Sequence, residues 1–197
     1  AHGGAGIAHF VEGGGLVLGT TGKVLLGIAT IGSIADNFAQ TQGSNRDPNY
    51  WWIRFEAIRD AFWVLRHYLK CAKFFGLVDK NGQFSQKKFD ELRKKEKFYV
   101  DVESRQNMAH TNGNNVTFER GFFNDGWFKG SRAPYSIQNP RQGRAQTVLH
   151  EIGHSKGLLK HDNTGDAPED PNSPANQNEK AIKDNCGKGL SQIPTSY

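Results

Sequence analysis

A chain of 197 residues and 21.9 kDa is sized for one domain, or one domain with an appendage, and at that length it buries roughly 70% of its unfolded surface without needing a metal or disulfide merely to fold. Its 36% hydrophobic and 23% charged residues exclude a wholly disordered chain. Two cysteines, Cys71 and Cys186, exclude a disulfide-rich scaffold and leave open one bridge or two thiols.

The net charge of +5 is unevenly spread: −1 over residues 1–43, +8 over 44–145 and −2 over 146–197. A pI near 9.2 permits contact with nucleic acid or an anionic membrane. No nucleic-acid motif accompanies the basic middle, so it reads as a solvated face and nucleic acid is not expected as a partner. A single methionine, Met108, and alanine at position 1 read as a chain released from a precursor or made as a fragment. No signal peptide is recognisable in it.

Residues 1–43 form a glycine-rich apolar leader, with ten of the 23 glycines in the first 32 positions. Residues 15–35 approach the length of a bilayer span, and Gly15 and Gly19 make one G-x-x-x-G spacing. Lys23 sits mid-span, and glycine this dense weakens a helix by roughly 1 kcal/mol per site. Three readings stand: a packed hairpin or buried helix, a membrane-contacting or translocation segment through 15–35, and a flexible leader. The polar stretch 39–47 (AQTQGSNRD) marks a boundary, and residues 44–197 make the main domain.

Asp47-Pro48 reads as N-cap and first residue of a long helix. Trp51, Phe55, Ile58, Phe62, Leu65, Leu69 and Ala72 recur at spacings of four and three, with Trp52, Ala61, Val64 and Tyr68 widening the buried face. Gly76 is its C-terminal stop. Residues 78–85 (VDKNGQFS) hold glycine three places after Asp79, not five, so a calcium-loop register fails and a turn is expected. Ser85 then caps a solvated helix with Phe84 and Phe89 as a hydrophobic staple. Residues 98–102 and 115–123 have strand composition, joined by the turn-rich HTNGNN, and 124–143 reads as loop. A helix over about 144–159 follows, then an irregular stretch, then a short helix over about 176–185. Helices, a small sheet and more helices make an α+β domain.

The chemistry concentrates in residues 147–162 (TVLHEIGHSKGLLKHD). His150 and His154 are four apart, so both imidazoles leave one face of the helix, one turn apart. Two imidazoles so placed can share a tetrahedral Zn²⁺ at about 2.0–2.1 Å. Glu151 sits where it reaches a water beside the metal without ligating the metal. This is H-E-x-x-H in the helical setting that the motif requires. The competing reading is a buried structural histidine pair or a non-catalytic metal site.

These residues resemble the active-site helix of the zincin metallopeptidases. The extended stretch HEIGHSKGLLKHD is similar to the metzincin pattern H-E-x-x-H-x-x-G-x-x-H, with Gly157 at the turning glycine. Two positions depart from it: Lys160 stands where the third histidine belongs, with His161 one residue later, and Met108 lies upstream, where it cannot form the methionine turn beneath the metal. Asn178-Glu179-Lys180-Ala181 is similar instead to the segment that supplies gluzincins with a glutamate ligand. The third ligand is therefore His161 or Glu179, with Asp162 or another acid as the remaining choice. Asp184 is a candidate to orient a ligand histidine.

The resemblance implies a small zincin-like domain with a long N-terminal helix, a small sheet and the H-E-x-x-H helix, acting as a zinc peptidase on a protein or peptide substrate. Glu151 would be its acid–base residue. Tyr135, Arg141 and Arg144 are candidate oxyanion donors, and residues 116–123 would supply the edge strand that binds substrate. The layout also resembles the metallopeptidase toxin domains at the C-termini of Rhs-type polymorphic toxins, which implies a secreted or delivered effector with a cognate immunity or inhibitor protein. The alternative function is a basic cytotoxic domain that binds nucleic acid or membrane and holds only a non-catalytic metal.

Overall fold

A computed structural model describes residues 10–11, 15–16, 48–103, 107–128, 139–162 and 172–195. The chain divides into two units, Ala1–Gln42 and Gly43–Tyr197. In the first, β1 (Phe10–Val11) pairs antiparallel with β2 (Gly15–Leu16). The rest of the 15–35 stretch lies outside the described residues. Among the described residues, no helix is long and apolar enough to cross a membrane.

The second unit is α+β. It opens with α1 (Pro48–His67) and α2 (Leu69–Phe74), where the periodicity predicts one continuous helix. The break falls at Tyr68, whose backbone is extended, and it turns α2 toward the last helix, α6 (Pro174–Leu190). Phe55, Ile58, Ala61, Phe62, Val64 and Leu65 are buried as expected, whereas Trp51, Trp52 and Leu69 are exposed. Apolar spacing marks a helix face but does not say how far along the helix its partners extend.

Cys71 on α2 and Cys186 on α6 form a disulfide across 115 residues of sequence, which resolves the pairing that composition leaves open. Closing a loop of that length removes much unfolded-chain entropy. The double substitution Cys71→Ser, Cys186→Ser is expected to cost about 2–5 kcal/mol of stability. Urea denaturation measures the loss, and a change under about 0.5 kcal/mol, the range of a neutral surface substitution, would contradict it.

Gly76 ends this region with φ +68. In the turn that follows, the Asp79 carboxylate accepts from Asn81 N and Gln83 N at 2.9 Å each, which is turn chemistry. Ser85 caps α3 (Gln86–Lys95), accepting from Lys88 N, and Phe84 lies against Phe89 with centroids 5.5 Å apart.

The sheet has three strands in the order β3–β5–β4. β3 (Lys97–Asp101) runs parallel to β5 (Asn115–Glu119), and β4 (Ala109–Asn112) pairs with β5 antiparallel through a tight turn at Gly113 (φ +61). His110–Asn112, expected as turn, are thus strand. Arg120–Phe123, expected as strand, are the short helix α4, followed by a 3-10 turn at Asp125–Phe128. Phe118 and Phe122 stack across that corner at 4.2 Å, so the aromatic residues that suggest a longer strand are buried by a bend instead.

Helix α5 (Pro140–Ser155) is the central element. Asn139 caps it, accepting from Arg141 N and Gln142 N, with Pro140 as the first helical residue, so it starts a turn earlier than its apolar pattern suggests. It packs against α1, α6, β4 and β5. Val148, Leu149 and Ile152 are fully buried, each worth about 1.5–3 kcal/mol. This packing fixes the helix that carries His150, Glu151 and His154.

Candidate metal centre

His150 and His154 project from the last turns of α5 toward one point. Their Nε2 atoms are 2.8 Å apart, and Asp162 Oδ2 lies 2.8 Å from the first and 3.4 Å from the second. A tetrahedral ion with ligands at about 2.0–2.1 Å places those ligand atoms roughly 3.3 Å apart. The three atoms are therefore within about half an ångström of a metal-binding arrangement. Two imidazole nitrogens and a carboxylate oxygen also suit Zn²⁺ chemically.

Asp162 reaches the histidines because the chain folds back after α5. Leu158 N donates to Gly153 O and Gly157 N to His154 O, both at 2.9 Å, with Gly157 at φ +65; this is a Schellman ending. Leu159 then lies on Gly153, where a Cβ would meet Leu159 Cδ1 at 2.7 Å. The returning segment is held from α6. Asn178, 3% exposed, accepts from Lys160 N at 3.1 Å and donates to Lys160 O at 2.7 Å and to Asp162 Oδ1 at 2.5 Å.

Glu179, the next residue of α6, stands behind the centre. Its Oε1 is 2.6 Å from His150 Nδ1, at ion-pair distance though off the line of an aligned ring N–H bond, and Oε2 accepts from Gln146 Nε2. Burial opposes charge on His150, but Glu179, Asp162 and Glu151 outweigh it and raise its pKa well above the usual value. Burial likewise works against the Asp162 carboxylate, and the bonds to His150 and His154 overcome it, holding that pKa well below the carboxylate range. Such a pocket of carboxylates around one buried and one half-buried imidazole favours a cation.

Glu151 is 6% exposed, and its Oε2 accepts from Thr111 Oγ1 at 2.6 Å. Both line an open cleft of about 490 Å³ together with His110, His154, His161 and Asp162.

The structure places the expected site residues as follows. Asp162, the lesser choice from sequence, is the residue that faces both Nε2 atoms. His161 is exposed at the cleft, its Nδ1 donating to Asp162 O at 2.8 Å. Glu179 meets the opposite side of the His150 ring from the one that faces His154. Asp184 does not orient a histidine; it pairs with Lys180 on the surface. Arg141 is paired with Asp60 at 2.6 Å, and Arg144 donates to Phe122 O at 2.7 Å and pairs with Asp125. Both are buried at the start of α5, away from the cleft. Tyr135 lies outside the described residues. Residues 116–119 belong to the central strand and 120–123 are helical, so among the described residues the edge strand beside the cleft is β4. The contacts of Thr111 and Asn178 are not legible in the sequence, because each acts on a partner distant in sequence.

A further buried acid, Glu96, lies beside the cleft. Glu96, 0% exposed, accepts from Ser155 Oγ at 2.7 Å. Burial raises its pKa, against the lowering effects of Ser155, Lys95 and Lys156. A raised pKa means that folding favours the protonated acid, so its contribution is present at low pH and lost as pH rises through the folded value. Glu96→Gln is therefore expected to gain stability relative to wild type between about pH 4 and pH 7. Urea melts with chelator present at both pH values measure this, and an unchanged difference would contradict it.

No family model, curated protein or solved structure matches the chain.

Proposed function

We propose that the chain is a zinc-dependent endopeptidase whose metal is held by His150, His154 and Asp162. The observation that carries this reading is the convergence of two Nε2 atoms and one carboxylate oxygen beside Glu151 in an open cleft. A bound zinc supplies Lewis-acid polarisation of a peptide carbonyl and acidifies a water at neutral pH. Thr111 anchors one oxygen of Glu151, leaving the other to take a proton from the attacking water. Glu151 then returns that proton to the leaving amine. Glu179, with Oε1 2.6 Å from His150 Nδ1, sets a negative charge behind that ring, on the side from which carboxylates steady ligand histidines.

The edge strand β4, unpaired on its outer side among the described residues and beside the cleft, is suited to pairing with an extended peptide. The Cys71–Cys186 disulfide supports a chain that matures outside a reducing cytosol, in keeping with a secreted or delivered effector. A protein or peptide substrate and a dedicated inhibitor protein are the partners this reading implies.

Metal analysis combined with cleavage of a peptide library tests the proposal. The expected result is a single zinc per chain and cleavage that stops with chelator and returns with zinc. Bound zinc with no cleavage of any library member would favour a basic binding domain with a non-catalytic metal.

A further inference from the structure

We infer that Asn178 decides which side chain of the 160–162 segment serves as third ligand: its carboxamide fixes the Lys160 backbone and the Asp162 carboxylate, and so presents Asp162 rather than His161 to His150 and His154. This rests on the metal-centre reading above and concerns a residue of α6 that is not itself a ligand.

The carboxamide is fully used. Its oxygen accepts from Lys160 N, and its nitrogen donates to Lys160 O and Asp162 Oδ1. A flipped amide would set its oxygen against two acceptors and its nitrogen against a donor, so this orientation is fixed by its neighbours. With Oδ1 of Asp162 occupied by Asn178, Oδ2 is the oxygen that faces both imidazoles.

The segment it holds lies outside any helix or strand. Asp162 and His161 are adjacent, and successive side chains of a non-helical segment point to different sides, so a rotation of this backbone would exchange which of them faces the histidines. The Asn178 clasp is what fixes that rotation. Asn178 is not needed to form α6. Ser173 caps that helix, while Ile182, Leu190 and the disulfide at Cys186 bury and tether it. Alanine at 178 suits a helix interior. Asn178 is therefore a positioning residue acting through Asp162.

Zinc affinity by competition with a chromophoric chelator, together with the visible spectrum of the cobalt(II)-loaded protein, tests this without any substrate. Asn178→Ala is expected to bind zinc about 10–100-fold more weakly, the usual cost of losing an outer partner. Its metal-free form should stay folded, and its cobalt spectrum should change. His161→Ala, silent in the wild-type background, should weaken binding further in the Asn178→Ala background, where His161 is free to substitute. Asn178→Asp keeps the size and the Lys160 N–H contact but sets a second carboxylate against Asp162; it should lose as much affinity, and it decides the matter should Asn178→Ala fail to fold.

Zinc affinity within about twofold of wild type in both Asn178 variants, alongside a large loss in Asp162→Ala, would overturn this inference and leave the metal centre standing. A wild-type chain that binds no zinc, or an Asp162→Ala variant that binds it normally, would overturn both.

Discussion

Asp162→Ala is expected to weaken zinc binding by more than about 100-fold, whereas His161→Ala leaves it within about twofold. The first figure exceeds the roughly 10–100-fold typical of losing an outer partner, because the proposed ligand itself is removed. Asp162 Oδ2 lies 2.8 Å and 3.4 Å from the two Nε2 atoms, and no other described carboxylate joins that cluster. His161 is exposed and turned to the backbone oxygen of its neighbour. Glu179→Gln should fall between them, since it keeps a side chain against His150 Nδ1 but removes the charge. Chelator competition on the three variants measures the order. Equal losses in Asp162→Ala and His161→Ala would contradict the assignment.

Glu151→Gln should retain zinc and lose cleavage by on the order of 10²–10⁴-fold, the range contributed by a positioned acid–base group. The substitution is nearly isosteric, and the glutamine oxygen can still accept from Thr111 Oγ1. Fold and metal site are thereby preserved while the proton acceptor is lost. Thr111→Val should give a smaller loss in kcat with zinc affinity unchanged, because it frees the carboxylate without removing it. Undiminished cleavage by Glu151→Gln would rule out Glu151 as the base.

Local signals were readable in the sequence wherever a residue acts on its own neighbours. Ser85 caps α3, Gly76 and Gly157 take positive φ, and the four-residue spacing of His150 and His154 brings their rings together. What the sequence concealed depends on distant partners. The Tyr68 break follows the demand that α2 meet α6, and β4 is a strand because β5 pairs with it, although its sequence has turn composition. Arg141 and Arg144, chemically apt as oxyanion donors, are spent on Asp60, Asp125 and the Phe122 carbonyl. The Asp162 carboxylate is held by Asn178, sixteen residues later on α6. The acid that resembles a gluzincin ligand, Glu179, falls one residue past that clasp and meets His150 from behind.

The most direct test of the account is a crystal structure of the zinc-loaded chain with the metal located by anomalous scattering. One zinc is expected, with His150 Nε2, His154 Nε2 and an Asp162 oxygen at about 2.0–2.2 Å, and Glu179 still on the far side of the His150 ring. A zinc held by Glu179 or His161 in place of Asp162, or no metal between the two histidines, would contradict it.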